Sequence, residues 1–144
     1  MKRIFAIALL AIASPVAAGD YRSTLEDGAV MYDAPSVHAK KLFVTSRHYP
    51  VEIVVNIDSW VKVRDQTGTL AWMEKKALSD KRTVMVTVPV AEVRQKPDEK
   101  APVLFRAQQG VALELAEPGT SGWARVRHAD GQTGYVRINQ VWGI

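Results

Sequence analysis

The sequence has 144 residues, of which 47% are hydrophobic and 24% charged, and no cysteine. That length allows one domain or two very small ones, and the missing cysteines exclude disulfides, thiolate metal sites and a thiol nucleophile. The formal net charge of +4 is spread along the chain, whereas duplex-binding proteins commonly neutralise about 6–10 phosphates with clustered Lys and Arg, so nucleic acid is not an expected partner.

In chain order, the first expected element is a leader over residues 1–18. Lys2 and Arg3 form its basic start, Ile4 to Ala13 its apolar stretch, and the small residues ending at Ala18 its cleavage site. The apolar stretch is shorter than the ~20 residues of a membrane-spanning helix. Removing the leader leaves 17 basic against 15 acidic residues. It also leaves no cysteine for lipid attachment. The expected product is periplasmic or secreted, without a membrane anchor.

Beyond Gly19 the chain reads as short strands. "VEIVVNI" (Val51 to Ile57), "WVKVR" (Trp60 to Arg64), "VMVTV" (Val84 to Val88), "VALELAE" (Val111 to Glu117) and "WARVRH" (Trp123 to His128) are rich in β-branched residues, and several alternate with period two. Turn signals such as "DQTG" and "HADG" separate them. Only "MEKKALS" (Met73 to Ser79) and "RINQVW" (Arg137 to Trp142) resemble a helical turn.

The pattern is written twice. Trp60 to Leu78 aligns without a gap on Trp123 to Val141, at a shift of 63 residues with four identities in nineteen. Upstream, "AVMYDAPS" (Ala29 to Ser36) matches "AEVRQKPD" (Ala91 to Asp98), and "YPVEIVV" (Tyr49 to Val55) matches "QGVALEL" (Gln109 to Leu115). The fold class is therefore all-β: two tandem small barrels, residues 26–79 and 89–144, each closing on itself to remove its edges. Residues 80–88 form an extended connecting strand between them, packed on one or both units, because "TVMVTV" is too apolar for a free linker.

These residues carry a resemblance. "AEVRQKPD", "GVALEL" and "GWARVRHADGQTGYV" resemble bacterial SH3-like domains. The first copy departs from the pattern, with "AVMYDAPS" at its start, Ser59 before the tryptophan and "LAWM" at the close. The paired layout is similar to a family of secreted proteobacterial proteins with two such domains. The resemblance implies SH3-type barrels that bind or target, toward peptidoglycan or a cell-envelope protein, with no cofactor.

Catalytic templates lack their residues. His38, His48 and His128 have no carboxylate or second histidine at ligand spacing. "GTSG" (Gly119 to Gly122) has the wrong spacing for a nucleophile elbow, and no phosphate loop occurs. A non-enzyme without a metal is expected.

The aromatics are more informative. In "WVKVR" and "WARVR", Trp60 and Trp123 alternate onto the face of Lys62 and Arg125, while Val61, Val63, Ala124 and Val126 point oppositely. If the valines face the core, both tryptophans begin on the polar side. Trp72 and Tyr135 are expected to cover the barrel. The resemblance places a ligand groove at an aromatic of the first loop and the hairpin tryptophan. In copy one these are Tyr32 and Trp60, with Asp33 and Tyr49 nearby. Copy two offers only Trp123, since Val93 or Arg94 replaces the tyrosine. A protein–protein adaptor that binds a peptide, or that self-assembles through "TVMVTV" as an edge strand, is the alternative function.

Overall fold

The computed structural model describes residues 19–144; the leader expected over residues 1–18 lies outside them. Among these described residues, fourteen strands form two seven-stranded antiparallel sheets. The first holds β1 (Asp20–Thr24), β2 (Ala29–Tyr32), β3 (Lys41–Thr45), β4 (Pro50–Ile57), β5 (Trp60–Arg64), β6 (Leu70–Glu74) and β7 (Leu78–Ser79). The second holds β8 (Thr83–Val86), β9 (Val90–Arg94), β10 (Val103–Gln108), β11 (Ala112–Thr120), β12 (Trp123–Arg127), β13 (Thr133–Arg137) and β14 (Val141–Trp142). Strand order is β3-β2-β6-β5-β4-β1-β7 in one and β10-β9-β13-β12-β11-β8-β14 in the other, the same topology twice.

Pairing corrects the closed barrel. Each order ends on two strands that do not pair with each other, so neither sheet closes by hydrogen bonds. Two features account for this. The last strands, β7 and β14, are two residues long. The first hairpin meets the central strands through one residue pair, Tyr32 with Trp72 and Arg94 with Tyr135. The helical turns are single turns of 3-10 helix at Lys75–Ala77 and Ile138–Gln140, each followed by that short last strand.

Residues 80–88 do not stand between the units. Thr83–Val86 pairs with β11 on one side and β14 on the other, well inside the second sheet. Its counterpart in the first sheet is β1, between β4 and β7. Self-assembly through "TVMVTV" as an edge is thereby excluded, because both its edges are occupied and its four strand residues are buried.

Register also corrects the repeat. Glu52 pairs with Arg64 as Glu114 pairs with Arg127. "YPVEIVV" therefore answers "VALELAE", two residues later than the alignment with "QGVALEL". The shift is 62 residues up to β4 and 63 from β5 onward, so copy two carries one extra residue near Pro118. The left-handed backbone of His48 (φ 66°) then falls on Gly110 (φ 86°).

Each unit has its own core. Met31, Val51, Val61, Val63, Ala71 and Met73 fill the first. Val84, Val86, Val93, Leu113, Val126 and Val136 dominate the second. Alternation holds as read: Val61 and Val63 are fully buried, and Trp60, Lys62 and Arg64 lie on the opposite face.

The units touch along β1 and β8. Thr83 Oγ1 donates to the His48 carbonyl at 2.8 Å, and Ser23 Oγ to the Lys81 carbonyl at 2.7 Å. The Tyr21 ring meets Trp142 edge-on at 5.4 Å. The Arg82 guanidinium lies 5.1 Å above the same tyrosine and donates to the Gly143 carbonyl at 2.8 Å.

Candidate functional site

The outer face of the first sheet gathers aromatics. Tyr32 on β2 sits opposite Trp72 on β6, and Trp72 sits opposite Lys62 on β5. The Trp60 ring meets Tyr32 edge-on at 5.5 Å, a geometry aromatic quadrupoles favour. Trp72 therefore does not cover the core, as the sequence suggested. Ala71 and Met73 do that, and Trp72 shares the outer face with Glu74. Tyr32 keeps 7% of its surface exposed, while Trp60 and Trp72 are half-buried.

Beside Tyr32 lies a groove of about 230 Å³. Its rim carries Glu26, Asp27 and Glu74 against one cation, Lys76. Lys76 and Glu74 approach to 3.6 Å, but both are solvated, and such pairs contribute only ~0–1 kcal/mol. The groove is mainly aliphatic and backbone surface with Tyr32 as its aromatic residue and an acidic edge.

Asp33 and Tyr49 stand apart from this surface. Asp33 organises its own loop, where its backbone N–H donates to the Lys40 carbonyl and its carboxylate accepts the Lys40 N–H at 3.1 Å. Tyr49 precedes β4, packs against the first core and donates its hydroxyl to Asp65 at 3.0 Å. Burial, then the Asp65 carboxylate, pushes the Tyr49 phenol up to about 12. Asp65 is 5% exposed and also accepts from the Thr67 and Thr69 N–H groups and the Thr67 hydroxyl, closing the β5–β6 turn. Of the five residues named from sequence, Tyr32 and Trp60 meet; Asp33, Tyr49 and Trp123 lie elsewhere. Trp72 and Glu74 were missed. Period-two alternation from Trp60 through its hairpin register would have found both.

Copy two carries the same surface in another state. Arg94 takes the place of Tyr32 and Arg137 that of Glu74. The Arg137 guanidinium lies 4.5 Å above the Trp123 ring and pairs with Glu99. Arg94 pairs with Glu92 at 2.7 Å. Pro97 and Pro118 line the small recess beside Trp123 and Tyr135. Trp123 is consequently only 7% exposed, although it starts on the polar side of its strand as Trp60 does. Its face is covered by the chain's own cation.

The histidines are dispersed. His38 is exposed in a loop, His48 lies at the junction of the units, and the His128 ring meets Phe105 at 5.2 Å. Burial, then the charges of Lys81 and Arg47, holds the His48 imidazole below its ordinary value.

A duplicated small antiparallel sheet, with an aromatic face over a Val-rich core, defines an SH3-like class of β protein. The chain belongs to the bacterial SH3 domain family, whose model matches residues 26–80 and again residues 87–143. Both matches begin after the first strand of their sheet. No curated relative matches the sequence. Among solved structures, NlpC1 from Trichomonas vaginalis is 16% identical with a TM-score of 0.40, covering 98% of this chain and 51% of that one. An NlpC/P60 family protein from Bacillus cereus is 19% identical with a TM-score of 0.39, covering 85% and 55%. The chain thus spans about half the length of these structures.

Proposed function

We propose that the protein is an exported, non-catalytic binding module that holds peptidoglycan or a cell-envelope protein on its first unit. The observation that carries this reading is the difference between two copies of one surface. In copy one, the half-buried Trp60 and Trp72 flank a buried Tyr32 beside an acidic rim. In copy two, Arg94 and Arg137 stand in place of Tyr32 and Glu74 in the equivalent concavity, so a cationic lining replaces the aromatic and acidic one. Rigid rings bind extended strands at low entropy cost, and a carboxylate rim favours a ligand bearing amino groups. Copy one is the binding unit and copy two supports it.

Co-sedimentation with purified cell-wall sacculi tests this. Trp60→Ala should reduce retention at least tenfold, a loss of about 1.4 kcal/mol, while Trp123→Ala variants that remain folded keep it. Wild-type protein that stays in the supernatant rules out wall binding. The second reading, an adaptor for an envelope protein's peptide, rests on the same groove; there the Trp60-dependent binding would be to a captured protein and not to sacculi.

A further inference from the structure

A second concavity lies where the units meet, away from both aromatic faces. One wall is the connection from β3 to β4, with Thr45, Arg47 and His48; the other comes from β8 and β11, with Met85 and Ala112. It encloses about 460 Å³, twice the groove beside Tyr32. That volume lies within the ~300–1,000 Å³ of small-ligand sites, which favour boundaries between domains. Neither unit alone forms it.

Its chemistry is one-sided. Val44, Met85 and Ala112 give it apolar surface, and no Asp or Glu among the described residues lines it. Arg47 is exposed, and its guanidinium enters no ion pair among the described residues. The nearby Asp27 carboxylate is engaged by the Arg47 backbone N–H at 2.7 Å. The Gln66 side chain lines the same wall, next to the Tyr49 phenol. His48 places an imidazole at the cleft from left-handed backbone, where copy two has Gly110 with nothing to project. A non-glycine residue held there costs about 1 kcal/mol, and such strain concentrates at binding sites. The cleft offers a guanidinium, an amide and an imidazole around an apolar floor.

We propose that this inter-unit cleft is a second binding site, for the free C-terminal carboxylate of a short peptide with small apolar side chains. Arg47 takes the carboxylate, with Gln66 beside it. Val44, Met85 and Ala112 receive the side chains. The planar guanidinium fork suits a carboxylate bidentately, which a lysine could not reproduce.

The test is an NMR titration of the mature chain with acetyl-Ala-Ala and with the same dipeptide as its C-terminal amide. The acid should shift the amide resonances of Arg47, His48 and Gly110 and leave those of Tyr32 and Trp72 in place. The amide should bind at least tenfold more weakly. Arg47→Ala should lose binding at least tenfold, Arg47→Lys should recover only part of it, and Lys75→Ala, an exposed cation elsewhere, should bind as wild type. The proposal is overturned if acid and amide bind alike, if neither binds at millimolar concentration, if Lys75→Ala loses as much as Arg47→Ala, or if the shifts map to the aromatic face. Failure of wall binding with a positive titration would leave this site standing, and the reverse would remove it alone.

Discussion

Tyr49 shows how one side chain serves a core and a turn at once. Its ring packs on the first core while its hydroxyl satisfies buried Asp65. Leaving a buried acceptor short of a partner costs ~1–3 kcal/mol, so Tyr49→Phe should lower stability by about that range in urea unfolding. The pH dependence has a definite sign. Tyrosine ionises near 10 in an unfolded chain and near about 12 at this position. A raised value means that the neutral phenol is favoured by folding; this contribution is full below about pH 10 and disappears as pH rises through about 12. Wild type should therefore lose more stability than Tyr49→Phe between about pH 8 and 11. Trp123 is the converse case. Glu99→Ala should free Arg137 from its partner and uncover the indole, read as a red shift and stronger quenching of tryptophan fluorescence. Stability should change by only ~0–1 kcal/mol, since the Glu99 end of the pair is exposed.

Among the elements, the strands with strict alternation were legible. "WVKVR" and "WARVR" put their valines in the core because one face of a pleated strand must be apolar when one side of the sheet is buried. The polar "DYRST" of β1 carried no such signal, since its anchors are side-chain hydrogen bonds: Thr24 Oγ1 to the Ser46 carbonyl and Ser23 Oγ to the Lys81 carbonyl. The strands β3 and β10 were equally quiet, because edge strands mix exposed and buried positions. Gly134 on β13 answers Ala71 on β6. A Cβ there would lie 2.6 Å from Val93 Cγ1 and 2.8 Å from the Arg94 carbonyl oxygen. Gly134→Ala should therefore cost about 1–3 kcal/mol as overpacking, measured by thermal unfolding. The reciprocal Ala71→Gly should cost ~0.5–1 kcal/mol through chain entropy and lost packing.

At the scale of the molecule, two small sheets share one interface. A unit of ~60 residues is marginal alone, and the contacts of Tyr21, Arg82, Thr83 and Trp142 join the pair. A double-mutant cycle of Tyr21→Leu and Arg82→Ala should return a coupling of about 0.5–2 kcal/mol, as expected of a half-buried cation over an aromatic face. The single variant Arg82→Ala should broaden the unfolding transition or split it in two, with calorimetry as the readout. Single, coincident transitions in every variant would mean that the units fold as one body by other contacts.

The sequence by itself determined the all-β class, the duplication and the membership of Val61, Val63, Ala124 and Val126 in the cores. These follow from period-two patterning and repetition, which are local properties of the chain. It also singled out Tyr32 and Trp60, which do meet. Only the tertiary structure decided what surrounds them. It moved Tyr49 to a buried carboxylate, added Trp72 and Glu74 to the face, and covered Trp123 with Arg137. It placed Thr83–Val86 inside the second sheet and left the sheets open at their ends. Each of these depends on which distant strand lies opposite and at what register, and alternation along one strand carries no information about its partner.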